Sequence, residues 1–81
     1  MPEPLHLLVV DDDDGVQSLL RRYFAGQGFT VSTAADGAGM HAVLEREQVD
    51  LVLLDLGLPG EDGLELTRQL RRNWDGALII L

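Results

Sequence analysis

The sequence predicts a small α/β domain: a doubly wound parallel sheet with helices on both faces. Three observations carry this. Two short apolar runs, Leu7 to Val10 and Leu51 to Leu54, read as strands covered on both sides. Helical patterns separate the strand candidates, and strands alternating with helices build parallel sheets through right-handed crossovers. Both apolar runs also end in aspartate: Asp11 to Asp14 before Gly15, and Asp55 before a loop with Gly57, Pro59, Gly60 and Gly63. A strand buried on both faces has no internal reason to end in a charge. In open α/β sheets, however, ligands sit just outside the carboxyl ends of the strands.

In chain order, Met1 to Pro4 is a tail in which Pro2 and Pro4 discourage structure. Leu5 to Val10 is the first strand. Asp13 or Asp14 caps the first helix, where carboxylates suit the positive end of the helix dipole. Val16, Leu19, Leu20, Tyr23 and Phe24 recur at helical spacing and give it one apolar face, and the helix stops near Gly26 and Gly28. Phe29 to Ala34 alternates and is β-branched, as in a half-buried or edge strand. Asp36-Gly37 turns the chain, and Met40, Val43 and Leu44 mark a shorter helix to about Glu47. Asp50 to Asp55 is the third strand. Gly63 opens a helix with Leu66, Leu70 and Trp74 inward and Arg68, Arg71 and Arg72 outward; Asn73, Asp75 and Gly76 end it. Ala77 to Leu81 is a fourth strand.

Composition narrows the functional classes. Eighty-one residues suit one small domain, and 46% hydrophobic content suits a folded one. Fourteen acids against six bases, net −8, argue against a grip on nucleic acid or on an anionic membrane by this segment. All six bases are arginine. The absence of cysteine excludes a disulfide framework and a thiolate metal site. The first ten residues lack the basic and apolar regions of a signal peptide, and no run is long enough to span a bilayer, so a cytoplasmic protein is expected.

If the first and third strands are parallel neighbours, Asp11 and Asp12 face Asp55 across one crevice. Two carboxylates about 4 Å apart repel by roughly 1 kcal/mol in water and about 4 kcal/mol near a protein surface. A hard divalent cation relieves that repulsion, and Mg²⁺ takes oxygen ligands while keeping several waters. The pattern therefore points to a Mg²⁺ site with a carboxylate left to act on. An EF-hand loop fails, because placing Gly15 sixth puts Val10 first and Arg21 twelfth. Asp12-x-Asp14-Gly15-Val16 also resembles the nucleophile motif of haloacid-dehalogenase-type phosphatases, which would make Asp12 the nucleophile. The plainer reading of Asp13 and Asp14 is an acidic helix cap. The loop GLPGEDG lacks the Lys-Ser/Thr pair of a phosphate-binding loop. His6 and His41 have no partner at metal-ligand spacing and read as satisfied or surface histidines.

LLVVDDD, GFTVSTAADG and DLVLLDLGLPGEDGLEL, in this order and spacing, closely resemble a response-regulator receiver domain, of the branch with a winged-helix DNA-binding output domain. The resemblance implies a flavodoxin-like sheet of order 2-1-3-4, with Asp55 as the phosphoacceptor for a sensor histidine kinase. It implies Mg²⁺ held by Asp12, Asp55 and the Gly57 carbonyl, with Asp11 helping, and makes the chain a signalling module rather than an enzyme. It also explains Asp55 and its loop, which the phosphatase reading leaves idle.

The resemblance covers the chain to Leu81, before the positions of the family's Ser/Thr after the fourth strand and Lys after the fifth. Residues 1–81 are thus expected to be an incomplete receiver, without fourth helix, fifth strand or fifth helix, and with an exposed fourth strand open to homodimerisation or other association. The second functional expectation is a fragment that holds the acids but does not switch.

Overall fold

The computed structural model describes residues 4–81. Its elements run β1 (His6–Val10), α1 (Asp14–Gly26), β2 (Thr30–Ala34), α2 (Gly37–Arg46), β3 (Leu51–Leu54), α3 (Gly63–Asn73) and β4 (Ala77–Ile80). The strands form one parallel sheet of order β2-β1-β3-β4, as expected. Element ends move inward from the sequence reading by a residue or two: Leu5, Phe29, Asp50, Asp55 and Leu81 lie outside the strands. The expected tail at Met1 to Glu3 lies outside the described residues.

Strand alternation sorts the core into two layers. Leu8, Val10, Val52 and Leu54 face one side, where Met40 and Val43 of α2 and Leu66 and Leu70 of α3 cover them. Leu7, Val9 and Leu53 face the other, against Leu20 and Phe24 of α1. The apolar face of α1 is less buried than its periodicity predicts. No residue of α1 is fully buried, and Leu19 and Tyr23 are 60% and 59% exposed. Helical spacing establishes that such a face exists; the neighbours of α1, β1 and β2, reach only its Leu20–Phe24 edge.

Each helix starts on an aspartate. Asp13 accepts from the Gly15 and Val16 amides, Asp36 from that of Gly39, and Asp62 from those of Leu64 and Glu65. Such caps contribute about 1 kcal/mol each. The choice between Asp13 and Asp14 falls to Asp13, whose extended backbone is that of a cap. Trp74 ends α3, half-buried rather than fully inward. Its indole N–H donates to the Val49 carbonyl at 3.1 Å, and the Arg71 guanidinium lies 5.6 Å from its ring centroid. Among the described residues no helix is long and apolar enough to cross a membrane.

His6 is satisfied at the amino end of the sheet: its Nε2 lies 2.8 Å from the Ser32 hydroxyl and 3.3 Å from Glu47. His41 pairs with Gln69. The Ser32 hydroxyl donates to Glu47 at 2.7 Å and, with help from nearby His6 and Arg46, holds the Glu47 carboxyl below its usual range. A lowered folded-state value means that the ionised form favours folding. That contribution is complete above the unfolded value of about 4.3 and is lost as pH falls through the lower folded one. Glu47→Gln should therefore lower stability at neutral pH and flatten the acid limb of a stability–pH profile. An acid limb identical to that of the wild type would contradict this.

Candidate acidic site

The site lies at the carboxyl edge of the sheet, where two neighbouring strands end together. Val10 pairs with Leu54 in register, so the next residues, Asp11 and Asp55, leave the sheet side by side. Their backbones stay tied to it. The Asp55 amide donates to the Val10 carbonyl, and the Asp11 amide to that of Ala34 at the end of β2, both at 3.0 Å. Asp11, Asp12 and Asp55 each offer a carboxylate oxygen, all within 4.8 Å of one another.

The three carboxylates differ in surroundings. Asp11 is buried, at 8% exposure, and its Oδ1 accepts from the Asp13 amide at 2.9 Å. Asp55 is half-buried, and its Oδ1 accepts from the Gly57 amide at 2.8 Å. Asp12 is exposed, and its carboxylate accepts no hydrogen bond from the described residues. The ion pairs among the described residues involve only Glu47 and Glu65, so none neutralises this cluster. Clustered hard oxygen donors with no protein cation among them suit Mg²⁺. Asp13 and Asp14 do not belong to the cluster: Asp13 caps α1 and Asp14 opens it. Gly57 is exposed beside Asp55, and a Cβ added there would stand 3.2 Å from Asp55 Oδ1.

One contributor escaped the sequence reading. Gln17, on α1, donates through its Nε2 to the Asp11 carbonyl at 2.6 Å and to the Ala34 carbonyl at 3.1 Å. It thereby pins the acid-bearing loop to the end of β2. Its place four residues after the Asp13 cap, among the apolar positions of α1, is the available sequence clue.

A parallel sheet with carboxylates gathered at the carboxyl edge of its central strands defines a doubly wound α/β domain with an acidic centre. Within that class the chain belongs to the response regulator receiver domain family, whose model matches residues 7–81. The TorCAD operon transcriptional regulatory protein TorR of Escherichia coli K12 is 42% identical over 78 residues, 96% of this chain and 34% of TorR. Protein PetR of Rhodobacter capsulatus is 40% identical over 78 residues, 96% of this chain and 33% of PetR. The chain thus spans about a third of the length of these relatives. Among solved structures, the receiver domain of the TMAO respiratory system response regulator TorR matches with a TM-score of 0.89 at 43% identity, over 95% of this chain and 64% of that one. The response regulator TrrA of Thermotoga maritima matches with a TM-score of 0.85 at 31% identity. It has been solved with the histidine kinase ThkA, where the match covers 94% of this chain and 66% of that one. It has also been solved with Mg²⁺-BeF, where the match covers 94% and 67%. Family membership favours the receiver reading over the phosphatase one built on Asp12.

Proposed function

We propose that this chain is a phosphoacceptor module of a two-component system, taking a phosphoryl group on Asp55 from a phosphohistidine of a sensor histidine kinase. The observation that carries the reading is the meeting of Asp11, Asp12 and Asp55 at the end of two paired strands. In the transfer an Asp55 carboxylate oxygen bonds to phosphorus as the phosphorus–nitrogen bond of the phosphohistidine breaks and the imidazole leaves. The sheet holds Asp55 in place through its backbone, and the Gly57 amide orients one carboxylate oxygen, leaving the other to attack. Asp11, Asp12, Asp55 and the Gly57 carbonyl would hold Mg²⁺. That ion, when bound, supplies the charge neutralisation on which phosphoryl transfer chiefly depends. The solved complexes of TrrA with a kinase and with Mg²⁺-BeF support both partner and ion.

In this reading the protein works in the cytoplasm and is an acceptor rather than an enzyme with turnover. It reaches DNA only through an output domain. Its test is incubation with a small acyl or amido phosphate donor, with and without Mg²⁺. Stable acyl-phosphate label that forms only with Mg²⁺ is expected; no label under either condition would leave the non-switching structural role in its place.

We further expect association through β4. Among the described residues this strand pairs on one side only, with β3, and its Ile79 and Ile80 are 46% and 44% exposed. An apolar edge invites pairing with another chain. Sedimentation of the 81-residue polypeptide should show mass rising with concentration, and introducing lysine at Ile79 should suppress it. A strictly monomeric wild type would sink the idea.

A further inference from the structure

The geometry points to Glu61 as a positioning residue for the acidic centre, acting from outside it; the inference rests on the Mg²⁺-dependent reading above. Residues 55–62 carry Asp55 and Gly57 away from the sheet, and most of their hydrogen bonds are local. The Gly57 amide returns to Asp55, the Glu61 amide donates to the Leu58 carbonyl at 3.3 Å, and Asp62 caps α3. Three residues reach further, Leu56 by packing partly buried against the core. Leu58 is buried in the core. Glu61 crosses to α2, where both its carboxylate oxygens accept from the Gly37 amide, at 3.1 and 3.0 Å.

That amide belongs to the first residue of α2, one of the helix-start N–H groups that have no partner within the helix. The Asp36 cap takes the Gly39 amide instead. A carboxylate at this end also meets the positive pole of the helix dipole. The fit is close. A Cβ on Gly37 would collide with the Glu61 carboxylate and stand 2.6 Å from Leu66. The same β2–α2 turn holds the other acid loop, because the Ala34 carbonyl accepts from the Asp11 amide and from Gln17. One turn that offers no ligand thus braces both loops that do. Glu61 sets where the Gly57 carbonyl stands relative to Asp11 and Asp12.

The test uses ¹⁵N-labelled wild type, Glu61→Gln, Glu61→Ala and the surface control Glu65→Gln. In metal-free protein, Glu61→Ala should exchange the Gly37 amide about tenfold faster, the scale of one lost charge-assisted hydrogen bond, and should shift the Gly57 amide resonance. In an Mg²⁺ titration followed at Gly57, affinity should fall about tenfold, the low end for residues that support metal ligands. Glu61→Gln keeps one acceptor and should fall between Glu61→Ala and wild type, while Glu65→Gln should match wild type. Should Glu61→Ala fail to fold, Glu61→Gln carries the same comparison. Unchanged Gly37 exchange and Gly57 shift would overturn the brace itself. Faster exchange with wild-type Mg²⁺ affinity would overturn its role at the centre. A wild type that binds no Mg²⁺ would overturn the functional reading and this inference with it, and the wild-type titration alone tells that case apart.

Discussion

Asp55→Asn should fold as the wild type does and take no label from a phosphodonor. The amide is nearly isosteric, and its oxygen can still accept from the Gly57 amide, which now bonds Asp55 Oδ1. The backbone tie from residue 55 to the Val10 carbonyl does not involve the side chain. What disappears is the anionic oxygen that attacks, and a neutral amide is no substitute for it. The substitution also removes one of three clustered carboxylates. Two carboxylates about 4 Å apart repel by roughly 1 kcal/mol in water and about 4 kcal/mol near a protein surface. In the absence of divalent ions the variant should therefore melt no lower than the wild type. Label at wild-type level in a folded Asp55→Asn protein would move the chemistry elsewhere, with Asp12 the next candidate.

The second large effect separates neighbours in one acidic run. Asp12→Ala should weaken Mg²⁺ binding by at least about tenfold, since even groups that only support metal ligands act on that scale. Asp12 has no hydrogen-bonding task among the described residues, so its loss should cost little stability. Asp13→Ala should do the reverse. Asp13 accepts from the Gly15 and Val16 amides at 2.7 and 3.1 Å, and losing such a cap costs about 1 kcal/mol of stability. Its Mg²⁺ affinity should stay near that of the wild type. A titration in which Asp13 or Asp14 outweighs Asp12 would return the run to the phosphatase-like reading.

The contrast between Asp12 and Asp13 also shows how far the chain could be read before it was folded. β1 and β3 were legible because a short apolar run covered on both faces leaves little else to be, and the aspartate that ends each then stands out. Their pairing is implied only by the resemblance to a receiver domain, and the structure places Asp11 and Asp55 directly after the paired Val10 and Leu54. The cap of α1 was ambiguous because two aspartates in a row suit it chemically; backbone conformation chose Asp13. The apolar face of α1 was visible as spacing, but spacing carries no information on what covers it, and Leu19 and Tyr23 remain exposed. Gln17 and Glu61 were not legible as part of the site. Besides the Gln17 bond to Asp11, they reach the two ends of the β2–α2 connection, Ala34 and Gly37, at sequence separations of 17 and 24 residues. No local pattern encodes such a contact.

Locating the phosphoryl group in the chain tests the role of Asp55 directly. Protein labelled by a small phosphodonor is trapped by borohydride reduction, which converts an acyl phosphate to an alcohol, and is then digested and sequenced by mass spectrometry. Reduction is expected at Asp55 alone, and only in samples that contained Mg²⁺. Reduction at Asp12, or at Asp55 equally with and without Mg²⁺, would contradict that expectation.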